Sequence, residues 1–130
     1  MLSLSDPTWR QYKANYTDGT SVAGLLRRAE AGEQLANWYD DLFQELCHQY
    51  TVSEAVYPAA PHLVHLANDH PDLRVHLLIL LGACHASAEP AQLATVSPEA
   101  AQEWRSSAER AVALIAALLI EPQLDETEIF

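Results

Sequence analysis

Apolar residues recur through this chain at intervals of three and four, and scarcely anywhere at intervals of two. The clearest stripe is Leu35, Trp38, Tyr39, Leu42, Phe43 and Leu46, with Asn37, Asp40, Asp41, Gln44 and Glu45 between them. Side chains three and four apart share one side of a helix, so this segment reads as an amphipathic helix with a charged outer face. Val56, Tyr57, Ala60, Leu63, Val64 and Ala67 repeat the pattern, with Ser53 placed to cap them. Pro58 and Pro61 each remove an amide donor and crowd the preceding turn, so this helix is expected to start near Pro58 and reach about Asn68. Asp69-His70-Pro71-Asp72 makes a tight connection, with Asp72 as the next cap. Leu73, Val75, Leu77 to Leu81, Ala83 and Cys84 are apolar on nearly every side, which predicts an enclosed central helix that frays by Ser87.

The ends of the chain are less regular. Asp6 and Pro7 open a short helix carrying Trp9, Tyr12 and Tyr16, followed by a turn at Asp18-Gly19. Ser21 caps a second short helix through Leu25 and Leu26, ending near Gly32. Residues 86–97 are small and polar, an exposed loop. Ser97-Pro98-Glu99 then supplies a cap, a first-turn proline and a first-turn acid. The long helix that follows shows one face at Ala101, Trp104, Ala108, Ala111, Val112, Ile115, Leu118 and Leu119, and Pro122 ends it. Residues 121–130 read as a loose acidic tail. The apolar runs at 77–84 and 111–120 fall short of the roughly 20 residues a bilayer crossing needs, so both are expected in the core. The fold expected is a single all-α domain over 1–130, a short α-solenoid-like stack of antiparallel helix pairs.

Composition agrees with one packed core: 130 residues, 49% of them hydrophobic, exceed what a disordered chain carries. Charge changes the picture more. Seven Lys and Arg stand against eighteen Asp and Glu, a net charge of −11. Positions 29–73 hold no Lys or Arg, while Glu30, Glu33, Asp40, Asp41, Glu45, Glu54, Asp69 and Asp72 are acidic. Such a surface repels nucleic-acid phosphates and attracts a basic protein. The residues from Met1 to Pro7 lack the basic start and apolar run of a signal peptide, and the two cysteines read as reduced buried thiols. The expected location is the cytoplasm.

The stretch Leu46-Cys47-His48-Gln49 through Tyr57-Pro58-Ala59-Ala60-Pro61-His62-Leu63-Val64-His65-Leu66-Ala67 resembles a motif of uncharacterised bacterial HEAT-like helical-repeat proteins. Tyr50 stands where that motif carries a glycine. The resemblance spans residues 35–87, and the pairs Cys47-His48 and Cys84-His85 lie about one helical hairpin apart. It implies a short HEAT-like array, a class that binds other proteins along a concave face, and an immunity partner of a secreted toxin as one role.

Candidate chemistry is sparse. His62 and His65 lie three apart and share a helix side, so with His70 or His85 and Cys47 or Cys84 they form a candidate metal set. Adjacent helical residues point about 100° apart, which rules out Cys47-His48 and Cys84-His85 as nucleophile–base pairs and leaves Cys47 with His85 across helices. No tight Cys-x-x-Cys, His-Glu-x-x-His, glycine-rich phosphate loop or Ser/His/Asp pattern occurs. The favoured reading is a non-catalytic protein-binding module, adaptor or immunity protein, needing no metal or cofactor. It docks a basic partner through Asp40, Asp41 and Glu45. The alternative is a small metal-binding protein or Cys/His enzyme using Cys47, Cys84, His62, His65 and His85. Self-association is a third reading, since a stack too short to cap its ends can bury one against a second copy.

Overall fold

A computed structural model describes residues 1–33, 36–49 and 51–129, with side chains described up to Ile120. Leu35, the first member of the amphipathic stripe, and Tyr50, where the motif departs, lie outside the described residues. A 3-10 turn, Pro7–Gln11, precedes α1 (Gly19–Glu30) and α2 (Trp38–Leu46). The short strands β1 (Cys47–His48) and β2 (Thr51–Val52) follow, then α3 (Val56–Asp69), α4 (Arg74–Ser87), α5 (Pro90–Leu93) and α6 (Pro98–Ile129). The chain is mostly helical, with one small two-stranded sheet.

Local chemistry explains the starts and stops. Asp6 caps the 3-10 turn by accepting the Thr8 N–H at 2.8 Å. The turn ends before Tyr12, so Tyr12 and Tyr16 are not on it. Asp18, rather than Ser21, caps α1, its carboxylate accepting the Thr20 N–H at 2.8 Å. Helix α1 therefore begins at Gly19, where no larger residue fits: an added Cβ would lie 2.3 Å from the Trp9 carbonyl oxygen. The break after α2 is a hairpin, Cys47 paired with Val52 and His48 with Thr51. Alternation could not reveal it, because two-residue strands are shorter than any period. Gln49 holds a left-handed φ of 48° at its turn.

Helix α3 begins at Val56, slightly before the expected start. Pro58 falls in its first turn, where amides have no helical acceptor, so only Pro61 removes a bond. Ser53 does not cap it; its hydroxyl donates to the Glu45 carbonyl at 2.8 Å. Nor does Asp72 cap α4, whose N-cap is Leu73. Arg74 instead closes the end of α3, donating to the carbonyls of Ala67 at 2.8 Å and Asn68 at 3.0 Å.

The central helix is α3, not α4. It packs against α1, α4 and α6. From Val56 to Ala67 every residue but His65 is buried. Ala59, Ala60 and Ala67 let neighbouring axes come close, since the distance between packed helices follows the side chains at the contact. Helix α4, greasier in sequence, buries Leu77, Leu78, Leu80, Leu81 and Cys84 but leaves Val75 and Ile79 in solvent.

Helix α6 starts as the sequence indicates, with the Ser97 hydroxyl accepting the Ala100 N–H at 3.1 Å. Its first half lies on the body through Ala101, Trp104, Ser107 and Ala111. Trp104 stacks on His85 with ring centres 3.7 Å apart and meets the edge of Tyr57 at 5.1 Å. Beyond Ala111 the expectation of a core run fails: Val112, Ile115, Leu119 and Ile120 are exposed, while Leu114 and Leu118 are half-buried. The helix also passes Pro122 and continues to Ile129; one missing amide removes a single bond and need not end a helix. Among the described residues no helix is long and apolar enough to cross a membrane.

Candidate docking cleft between the first two helices

Helices α1 and α2 pack together because Trp38 lies buried against α1 and donates its indole N–H to the Leu25 carbonyl at 2.7 Å. Between them and the preceding loop lies an open cleft of about 520 Å³, lined by Tyr16, Ser21, Leu25, Arg28, Asp41, Gln44 and Glu45. The first turn of α2 carries Asp40 and Asp41, both exposed. Acids there complement the positive end of the helix dipole, so charge at this position suits the fold as well as a partner.

The three acids selected from sequence do not act alike. Glu45 is buried, because the loop before α1 closes over it. Its carboxylate accepts the Tyr16 N–H at 2.8 Å and the Thr17 hydroxyl. The same loop is tied to α2 and the hairpin through Asn15. Its amide donates to the carbonyls of Gln44 at 3.0 Å and Thr51 at 3.1 Å, while its backbone N–H reaches the Glu45 carbonyl at 3.0 Å. Glu45 is thus a clamp for residues 15–17 and not a free surface charge. The helical period places it on the same broad side as Asp41; only the returning loop turns it inward.

A positive group also enters the cleft. Positions 29–73 lack Lys and Arg, yet Arg28, in the last turn of α1, lines the cavity beside Asp41. At the rim, the exposed Tyr16 hydroxyl lies 3.0 Å from His48 Nε2, and His48 Nδ1 meets the Gln44 side-chain oxygen. Neither Arg28 nor this Tyr16–His48–Gln44 cluster was selected from sequence. The hairpin and loop that assemble the cluster carry no periodic signal.

The alternative set is dispersed. His62 is buried and donates from Nε2 to the Leu2 carbonyl at 2.6 Å, while His65 is exposed and 3.0 Å from Asp69. Residues three apart differ by about 60° around a helix, enough at the edge of α3 to place one inside and the other out. Burial lowers the pKa of both His62 and His85, so both favour the neutral ring. His62 Nδ1 and His85 Nε2 are buried without a hydrogen-bond partner. Cys47 and Cys84 are free and buried. Burial pushes the Cys84 thiol well above its usual range, which disfavours the thiolate a nucleophile needs. Among the described residues no three His, Cys, Asp or Glu side chains converge on a common point.

No protein family, no curated protein and no solved structure matches the chain.

Proposed function

We propose that the chain is a non-catalytic protein-binding module of adaptor or immunity type, working in the cytoplasm. It takes a basic segment of a partner against the α1–α2 cleft. The observation that carries this reading is the exposed Asp41 on the α2 wall of the cleft, next to the exposed Asp40, with Arg28 on the α1 wall. The acids attract a basic segment and Arg28 receives its carbonyl or acidic neighbour, so one cleft supplies both steering and orientation. Within residues 35–87, the packing of α3 against α4 supports the HEAT-like reading.

The test is an NMR titration of the full chain with an arginine-rich peptide and, as control, an acidic peptide of equal length. The arginine-rich peptide is expected to shift amide signals of Ser21, Arg28, Asp41 and Gln44. Binding weakens with salt and falls about tenfold or more in the Asp40→Lys/Asp41→Lys variant. Glu45 is left unchanged, because reversing a buried clamp would disturb the loop itself. Equal responses to both peptides, or shifts confined to another surface, would overturn the proposal.

A further inference from the structure

The bases of this acidic chain are gathered at one place. Residues 10–28 hold four of its seven Lys and Arg but only one of its eighteen acids, Asp18. Two of those bases, Arg10 and Arg27, line a second pocket of about 200 Å³ between the N-terminal segment and α1. Ser5, Asp6, Trp9 and Thr20 line it with them.

Packing holds the two arginine-bearing segments against each other. Gly19 lies so close to the Trp9 carbonyl that the 3-10 turn presses on the start of α1, which sets the next residue, Arg10, beside that helix. Thr20, Ala23 and Arg27 recur at intervals of three and four, so one side of α1 forms the facing wall. Arg27 folds back toward the start of the helix, its Nη2 lying 3.9 Å from where a Cβ on Gly24 would stand. Gly24, in a helix interior where glycine is disfavoured, leaves that flank of the guanidinium open. Among the described residues neither arginine forms an ion pair, although Glu30 lies three positions beyond Arg27. Asp6 shares the pocket, but its carboxylate is engaged with the Thr8 N–H at 2.8 Å.

Two unpaired guanidinium groups on one recess define the chemistry that fits it. Each presents a planar fork of donors that matches phosphate oxygens. A phosphate monoester carries nearly two negative charges at neutral pH and so engages both, whereas a carboxylate satisfies one. The Thr20 hydroxyl supplies a further donor, and the buried Trp9 gives an apolar floor for carbon. Drug-sized ligands occupy roughly 300–1,000 Å³, so this recess suits a phosphate with a few carbon atoms. The net charge of −11 disfavours a nucleic-acid backbone.

We propose that the pocket between the N-terminal segment and α1 binds a small phosphate monoester through Arg10 and Arg27. The site uses a different side of α1 from the Ser21, Leu25 and Arg28 stripe of the docking cleft, so either reading stands if the other fails. An NMR titration of the full chain with glycerol 3-phosphate tests it, with glycerol and sodium acetate at matched ionic strength as controls. The phosphate ester alone should shift the amides of Ser5, Arg10, Thr20 and Arg27. Arg10→Gln and Arg27→Gln should each weaken binding about tenfold or more while the circular dichroism of the helices is retained. Arg105→Gln, which removes an exposed charge from α6, should leave binding unchanged. The proposal is overturned by no shift at these amides, by equal shifts with acetate, or by equal weakening in all three variants. Binding to phosphatidic acid vesicles with no response to the soluble ester would overturn it too.

Discussion

Helix α3 and the second half of α6 reverse the order that their compositions suggest. Residues 111–120 are apolar without interruption, whereas α3 contains two prolines, two histidines, Asn68 and Asp69. Yet α3 is buried over most of its length, and over residues 112–120 of α6 all but Leu114 and Leu118 are in solvent. Hydrophobicity gives a segment a reason to be covered; it does not supply the neighbour. Small side chains along α3 let three helices gather round it, and with α1, α4 and α6 in those places no other described residue covers Val112, Ile115, Leu119 or Ile120.

The largest expected contrast comes from truncating one leucine in each region. Leu63→Ala removes a side chain with no exposed surface and should cost about 2–5 kcal/mol of folding stability. Leu119→Ala, in dilute solution, should change it by no more than about 0.5 kcal/mol. Urea unfolding of both variants measures the difference, and comparable losses would break the contrast. Next in size is Glu45→Ala, which leaves the Tyr16 N–H and Thr17 hydroxyl without their acceptor and should cost about 1–3 kcal/mol. Its urea midpoint should fall, while Asp40→Ala on the exposed side of the same helix shifts it little.

The smallest effect concerns pH. Burial depresses the pKa of His62 and His85 below the ordinary value of 6.5, so the unfolded chain takes up protons more readily than the folded one. Their contribution to stability is complete above 6.5 and falls as pH drops through that value toward the lower folded pKa. His62→Asn should flatten this slope. Urea midpoints taken above the carboxylate range and on both sides of 6.5 measure it.

The all-helical character, the stripe of α2 and the start of α6 were all legible in sequence, because each rests on local periodicity or capping chemistry. What escaped depends on which distant segment arrives. Glu45 belongs to the polar face of α2 by period, and only Tyr16 and Thr17 bury it. Arg28 lies one position before the acidic stretch, yet the α1–α2 packing sets it beside Asp41. The greasy sides of α4 and α6 looked alike as core, but a one-dimensional pattern cannot say that α3 would take the central position. His62 and His65 looked like partners because a spacing of three was read as one face, whereas the boundary of the core runs between them.

Hydrogen exchange of the backbone amides tests the difference between the two regions most directly. Amides in α3 should be strongly protected, because their cover lies within the chain. Those at 112–120 should exchange faster, because that part of α6 meets the body along one side alone. Exchange at 112–120 as slow as in α3 would contradict the account.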